Sequence, residues 1–291
     1  MDAGFGDGGP GSDAGPRRDG GPGGTGISSR GRCARQGVVL GGAALRRQQR
    51  LRARHARRGH LLGSASTFVF EVQPDGTVRH AWPPIAGPTP TPGSVWAASP
   101  DDAWIAASGP WTLLHFDGDR LTEDTGADVS YVSRISGWAS DDIWAFGFGD
   151  VYRYRGATWT RVDMSAYEGA FFNDLWAFGA GEALLVGRDA DSAPLILHLR
   201  DDAITEIAFT GTGTPGAVWA SSAEDIWLST DGRYLFHLDG GTWTQLTVPT
   251  GTQVAPAAIW GSGPDDVWIG GTREILHWNG SALETTEVLT S

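Results

Sequence analysis

The stretch "AIWGSGPDDVWIGGTREILHWNG", residues 258–280, is the last of five variants on one theme. The others are "SVWAASPDDAWIAASGPWTLLHFDG", "SGWASDDIWAFGFGDVYRYRG", "DLWAFGAGEALLVGRDADSAPLILHLRD" and "AVWASSAEDIWLSTDGRYLFHLDG". An acidic position recurs as Asp101, Asp141, Gly181, Glu224 and Asp265, at intervals of 40, 40, 43 and 41 residues. Three residues on lie Trp104, Trp144, Leu184, Trp227 and Trp268. Five residues before it lie Trp96, Ser136, Trp176, Trp219 and Trp260, with Trp138 two positions late in the second unit. A further marker is His115, Arg153, His198, His237 and His277, followed six residues later by Leu121, Trp159, Ile204, Trp243 and Leu283. Composition alone does not hold such a register, so the unit is structural.

Each unit reads as four short strands. "AVWAS" is the first. The acidic pair then makes a turn, because Asp side chains bond nearby backbone groups and disfavour strands. "DIWLS" or "DVWIG" is the second strand and "YLFHL" or "EILHW" the third. "DGGT", "NGSA" and "RGAT" supply a hairpin turn in which Gly tolerates positive φ, and "WTQLTV" is the fourth strand. A four-stranded antiparallel sheet every 41 residues or so is the period of a β-propeller blade, so the expected fold is an all-β propeller over residues 67–291. A blade is covered by neighbours on both faces, which explains inner strands that are apolar throughout instead of alternating. It also accounts for 14 Trp in 291 residues. Core packing is therefore the expected role of the repeat-position indoles, not sugar stacking.

The residues "VW…DDVW…ILHW(D/N)G…W" resemble the Trp-rich propeller repeats of secreted or surface-anchored bacterial proteins, many of them lipoproteins with Asp/Gly/Pro-rich tethers. The resemblance spans about 67–291 and the flavour of residues 1–26. It implies a propeller fold and an extracellular or cell-surface location. The "LDGGTW" turn is distantly similar to the Asp-box hairpin of sialidase-type propellers. It lacks that box's leading Ser/Thr-x-Asp-x-Gly order, so no sialidase chemistry carries over.

"TFVFEVQPDGTVRHAW", residues 67–82, reads as the outer two strands of a preceding blade, turning at Pro74-Asp75-Gly76. Five complete blades plus this half blade are expected, and at least six in the intact protein, because an unflanked blade leaves apolar faces open. Residues 1–66 are expected to be disordered: a Gly/Pro/Asp-rich tract that cannot bury enough apolar area, then the Arg-rich "RRQQRLRARHARR" at 46–58. This segment holds 12 Arg and 4 Asp, whereas residues 67–291 hold 10 Arg and 30 Asp plus Glu, with no Lys anywhere. An acidic body argues against a phosphate-binding surface, so no nucleic-acid partner is expected. Cys33 is the single cysteine, which excludes an internal disulfide and a Cys-based zinc site. No stretch reaches the ~18–20 apolar residues of a membrane span, and the N-terminus "MDAGFGDGG" shows no signal-peptide pattern. A monomer is expected.

No G-x-S-x-G, H-E-x-x-H, P-loop or dinucleotide fingerprint occurs. The acidic pairs lack the alternating carboxylates and closing Glu of a calcium loop. The repeated His residues fall on the third strand, away from the axis, where a hydrogen bond to a turn or a contact with Trp is expected. No metal and no cofactor are expected, and no catalytic residue is assigned. Function on a repeat scaffold lives where the pattern breaks. The loops joining strand two to three, and blade to blade, share one face. There the third unit departs most: 17 residues separate its acidic position from its His, against 12 to 14 elsewhere. Candidate binding residues on this face are Trp111, Tyr167, Glu168, Phe171, Arg188, Asp189, Asp191 and Arg233. The expected function is non-enzymatic binding or scaffolding of a protein or glycan across it. The competing class is a carbohydrate-active hydrolase or lyase sited at the mouth of the central channel, which needs converging carboxylates with a His or Tyr.

Overall fold

The computed structural model describes residues 61–65, 68–72, 78–80, 91–99, 101–108, 113–124, 129, 131–231, 234–248, 258–271 and 274–288. Of residues 1–66, expected to be disordered, 1–60 and 66 lie outside the described residues and Leu61–Ala65 form a strand. The first three strands, β1 (Leu61–Ala65), β2 (Phe68–Val72) and β3 (Val78–His80), form a three-stranded antiparallel sheet. Val72 pairs with Val78, and the expected turn at Pro74-Asp75-Gly76 lies outside the described residues. The half blade therefore has three strands, β1 lying ahead of residue 67.

Five four-stranded blades follow. The first is β4 (Thr91–Ser99), β5 (Asp102–Ser108), β6 (Leu113–Phe116) and β7 (Leu121–Glu123). The second is β8 (Arg134–Ala139), β9 (Asp142–Gly147), β10 (Asp150–Arg155) and β11 (Thr158–Arg161). A single 3₁₀ turn, Ser165–Tyr167, leads to the third: β12 (Phe171–Gly179), β13 (Glu182–Arg188), β14 (Pro194–Arg200) and β15 (Ala203–Glu206). The fourth is β16 (Pro215–Ser222), β17 (Asp225–Thr230), β18 (Leu235–Asp239) and β19 (Thr242–Leu246). The fifth is β20 (Ala258–Gly263), β21 (Asp266–Gly270), β22 (Glu274–Trp278) and β23 (Leu283–Val288). Each sheet runs in chain order, and the first strands β4, β8, β12, β16 and β20 pack side by side in succession, with β1 beside β4. The result is a five-bladed β-propeller whose innermost strands surround the axis. Among the described residues no helix is long and apolar enough to cross a membrane.

The core is a series of layers between blades. One layer joins Trp96, Trp104 and Leu113 of the first blade to Ile135, Ile143 and Tyr152 of the second. The next joins Trp144, Phe146 and Val151 to Leu175, Leu185 and Leu197. Successive residues of one strand serve opposite layers: Trp104 and Ala106 face forward, Ile105 and Ala107 backward. Both sets are buried, hence the unbroken apolar runs in the sequence.

The same two repeat positions meet at four junctions, by different contacts. Trp96 packs on Gly137 of the next blade, where a Cβ would lie 2.7 Å from the indole. Trp219 packs in the same way on Gly261, at 2.6 Å. Trp176 instead donates its indole N–H to Ala220 O at 2.9 Å. In the second blade Ser136 stands in the Trp position, and its Oγ accepts the Ala177 N–H at 2.7 Å. The residues met, 137, 177, 220 and 261, are equivalent in the repeat and all are Gly or Ala. Trp96, Trp144 and Trp219 bury indole N–H groups without a hydrogen-bond partner among the described residues. That costs about 1–3 kcal/mol each. Burying the ring, up to about 4–6 kcal/mol, outweighs it.

Candidate functional site: an aromatic rim on the loop face

The blades present two unlike ends. One carries the acidic turns and the Gly-containing hairpins. There the second acidic residue of each pair caps the third strand: His115 Nε2 meets Asp102 at 2.8 Å, His198 meets Glu182 at 3.1 Å, and His237 and His277 meet Asp225 and Asp266 at 2.7 Å. Each of three imidazoles also stacks on the paired indole, Trp104, Trp227 or Trp268, with centroids 4.0–4.3 Å apart. In the second blade Arg153 replaces His, lying 4.6 Å over Trp144 and bonding Asp142 and, in the next blade, Asp201. Burial works to raise the Asp225 carboxyl, but His237 and Ser221 hold it below its ordinary value. Asp266 is lowered likewise: burial opposes, and Ser262, His277 and Trp268 prevail. These residues are joints of the fold. Among the described residues no three His, Cys, Asp or Glu side chains gather as a metal site.

The other end carries the loops between second and third strands and between blades. The large apolar side chains that the described residues expose all sit there: Phe148 (82% exposed), Phe171 (55%) and Tyr234 (41%). A positional pair 17 residues apart explains two of them. In the first blade it is Thr91 and Ser108, directly opposite in the ladder. In the second it is Tyr131 and Phe148, stacked at 4.1 Å and 28°. In the third it is Phe171 and Arg188, whose guanidinium lies 5.5 Å over the ring. In the fourth it is Thr214 and Asp231, joined by Thr214 N–H to Asp231 Oδ1 at 2.8 Å. Gly147 and Gly187 make room for the aromatic member. A Cβ there would lie 2.2 Å from Tyr131 O or 2.1 Å from Phe171 O.

Phe148 and Gly149 form the two-residue turn between β9 and β10, with φ of 48° and 89°. Asn-Gly is the favoured pair for such a turn. A Phe in the left-handed region costs about 1–2 kcal/mol.

Of the candidates read from sequence, Phe171 and Arg188 form one of these pairs. Asp189 and Asp191 lie in the adjoining turn, where Asp189 accepts Ala193 N–H at 2.8 Å and Ser192 accepts from Arg188 at 3.0 Å. Gly169 approaches the same turn, its would-be Cβ 3.1 Å from Ala190. Glu168 ends the 3₁₀ turn and is exposed. Tyr167 is half-buried against the Phe172 and Leu175 layer, and burial, then the Glu206 charge, raises its hydroxyl above the ordinary value. Trp111 and Arg233 lie outside the described residues. Tyr131, Phe148 and Tyr234 are additions from the structure. "FGFGD" did carry a signal, an aromatic between two glycines where the repeat turns.

Toward the axis, Arg134 of β8 stands 3.6 Å from Asp174 of β12. Asp174 also accepts the Val218 N–H at 3.0 Å, and Asn173 donates to Pro215 O at 2.7 Å. Burial pushes the Asp174 carboxyl up, against the pull of Arg134 and the backbone amides.

No protein-family model matches the sequence, and no curated protein does. Solved structures do resemble the fold. A selenomethionine-substituted virginiamycin B lyase from Staphylococcus aureus superposes with a TM-score of 0.62 at 15% identity, over 78% of this chain and 79% of that one. YCF48 bound to D1 peptide gives 0.61 at 14% identity, over 87% and 83%. The β-propeller domain of Cps50 (Swd1) from Myceliophteria thermophila gives 0.54 at 11%, over 80% and 83%. One neighbour is a lyase and another holds a peptide, so what the chain shares with them is the β-propeller fold.

Proposed function

We propose that the chain is a non-enzymatic binding or scaffolding propeller that recognises a protein or glycan partner across the loop face. The observation that carries this reading is the gathering of Phe148, Phe171 and Tyr234 on that one face. Exposed aromatics anchor interfaces because they bury large area at little entropic cost. The test is an array of glycans and proteins probed with the full chain. A partner lost on Phe171→Thr with Tyr234→Ser, yet retained by Asp119→Asn on the opposite face, supports the reading. Binding indifferent to the loop face overturns it.

A hydrolase or lyase acting on carbohydrate at the channel mouth is the competing reading. Asp174 favours it, as a largely buried carboxyl held above its ordinary value beside Arg134. A sugar released from an oligosaccharide panel by the full chain, and not by Asp174→Asn, would establish it. We further propose that the protein works outside the cytoplasm or at the cell surface, on the resemblance of its repeats to secreted and surface-anchored proteins. Recovery from the cytosol alone after fractionation would overturn that.

A further inference from the structure

We infer that Tyr131 and Phe148 anchor a docking site for a basic polypeptide segment, whose arginine or lysine side chain lies on the open face of the Phe148 ring. The inference rests on the binding reading above and names its partner class.

The comparison that carries it lies within the chain. The positional pair occupied by Tyr131 and Phe148 is Thr91 and Ser108 in the first blade and Thr214 and Asp231 in the fourth. Those blades form the same four-stranded sheets. The scaffold therefore requires no aromatic at either position. Phe148 is nevertheless held at a left-handed φ of 48° and left 82% exposed. Its ring is not loose, because Tyr131 backs it at 4.1 Å. One face is thus fixed and the other presented, which is the preorganisation that binding rewards.

The third blade shows what such a face accepts. There Phe171 takes the place of Tyr131, and the guanidinium of Arg188 lies over it at 5.5 Å. A cation attracted to an aromatic face is worth most where water is excluded. In the second blade the same rim position is itself aromatic and supplies no cation of its own; the bound partner supplies it. The overall charge of the repeat region favours the same partner. Residues 67–291 carry 30 acidic side chains against 10 Arg. That field draws a basic segment and repels an acidic one, while a neutral glycan gains nothing from it.

The test uses the full chain on an array of random 12-residue peptides beside a glycan array. The strongest peptide is then titrated by fluorescence anisotropy against wild type, Phe148→Tyr, Phe148→Leu and Phe148→Asn. Bound peptides should contain Arg or Lys. Phe148→Tyr should keep the affinity. Phe148→Leu, which retains apolar area without a π face, should weaken it by about 2- to 30-fold, the range of one cation–π contact. Phe148→Asn should weaken it further, with circular dichroism showing the fold intact. Peptides selected without basic residues, or equal affinity for all four proteins, overturn the inference. Glycans bound in place of peptides overturn it while leaving the binding reading standing. No binding to either array overturns both.

Discussion

His237 lies flat on Trp227, ring centroids 4.3 Å apart, while its Nε2 meets Asp225 at 2.7 Å. The carboxylate fixes the imidazole and the imidazole covers the indole, so one acidic residue organises the outer half of the blade. Removing it should be felt as stability. Asp225→Asn is expected to cost about 1.5–3 kcal/mol at neutral pH, the range for a hydrogen bond to a charged group. The Asp225 carboxyl ionises at lower pH in the folded chain than its ordinary value of 3.8. Its contribution is therefore complete above that value and is lost as pH falls through the depressed folded one. Denaturant midpoints of wild type and variant should converge below the ordinary carboxylate range. A gap that stays constant to the lowest pH would contradict this.

Arg153 tests the same joint where the repeat deviates. It is 7% exposed and bridges Asp142 in its own blade to Asp201 in the next. Arg153→Ala leaves the largely buried Asp142 carboxylate with the Gly181 amide but no cation, and should cost about 3–5 kcal/mol. Arg153→His restores the residue used by the other blades. It should recover much of that loss but not the bond to Asp201. Urea unfolding of the two variants checks the order.

The junction between first and second blades makes a steric prediction. In Gly137→Ala the new methyl would lie 2.7 Å from the Trp96 ring, too close for a packed interior to absorb. A loss of about 1–3 kcal/mol is expected. Trp96→Leu alone should also destabilise. The double variant should be less destabilised than the two single losses added, since the methyl then has room. Thermal melts of the four proteins close the cycle, and strict additivity would refute the contact.

Phe148 predicts a gain. Asn in its place suits the left-handed turn that Phe occupies at φ 48°. Relief of about 1–2 kcal/mol exceeds what a mostly exposed ring recovers by stacking on Tyr131. Phe148→Asn should melt at the same or a higher temperature than wild type. A clear fall in melting temperature would mean that the ring serves the fold.

Much of this architecture was legible in the residue order. A period near 41, with Trp and an acidic pair in fixed register, implies short strands stacked around an axis, because each sheet must hide indoles on both faces. The roles of the repeated His also followed, since strand three sets them away from the axis. Ser136 looked like a lapse and is a substitution of mechanism: its hydroxyl accepts the Ala177 amide where other blades place an indole. β1 was invisible, because "LLGSA" carries neither Trp nor an acidic pair. The candidate site was half legible. Phe171 and Arg188 stood out through the long third unit. Tyr131 and Phe148 did not, because residues 17 apart meet only once β9 and the chain entering β8 lie side by side. Sequence by itself determined what each blade is, since strand pattern and burial are local properties of the repeat. Tertiary structure alone decided which aromatics are left uncovered, because exposure depends on what the neighbouring blade brings to the rim.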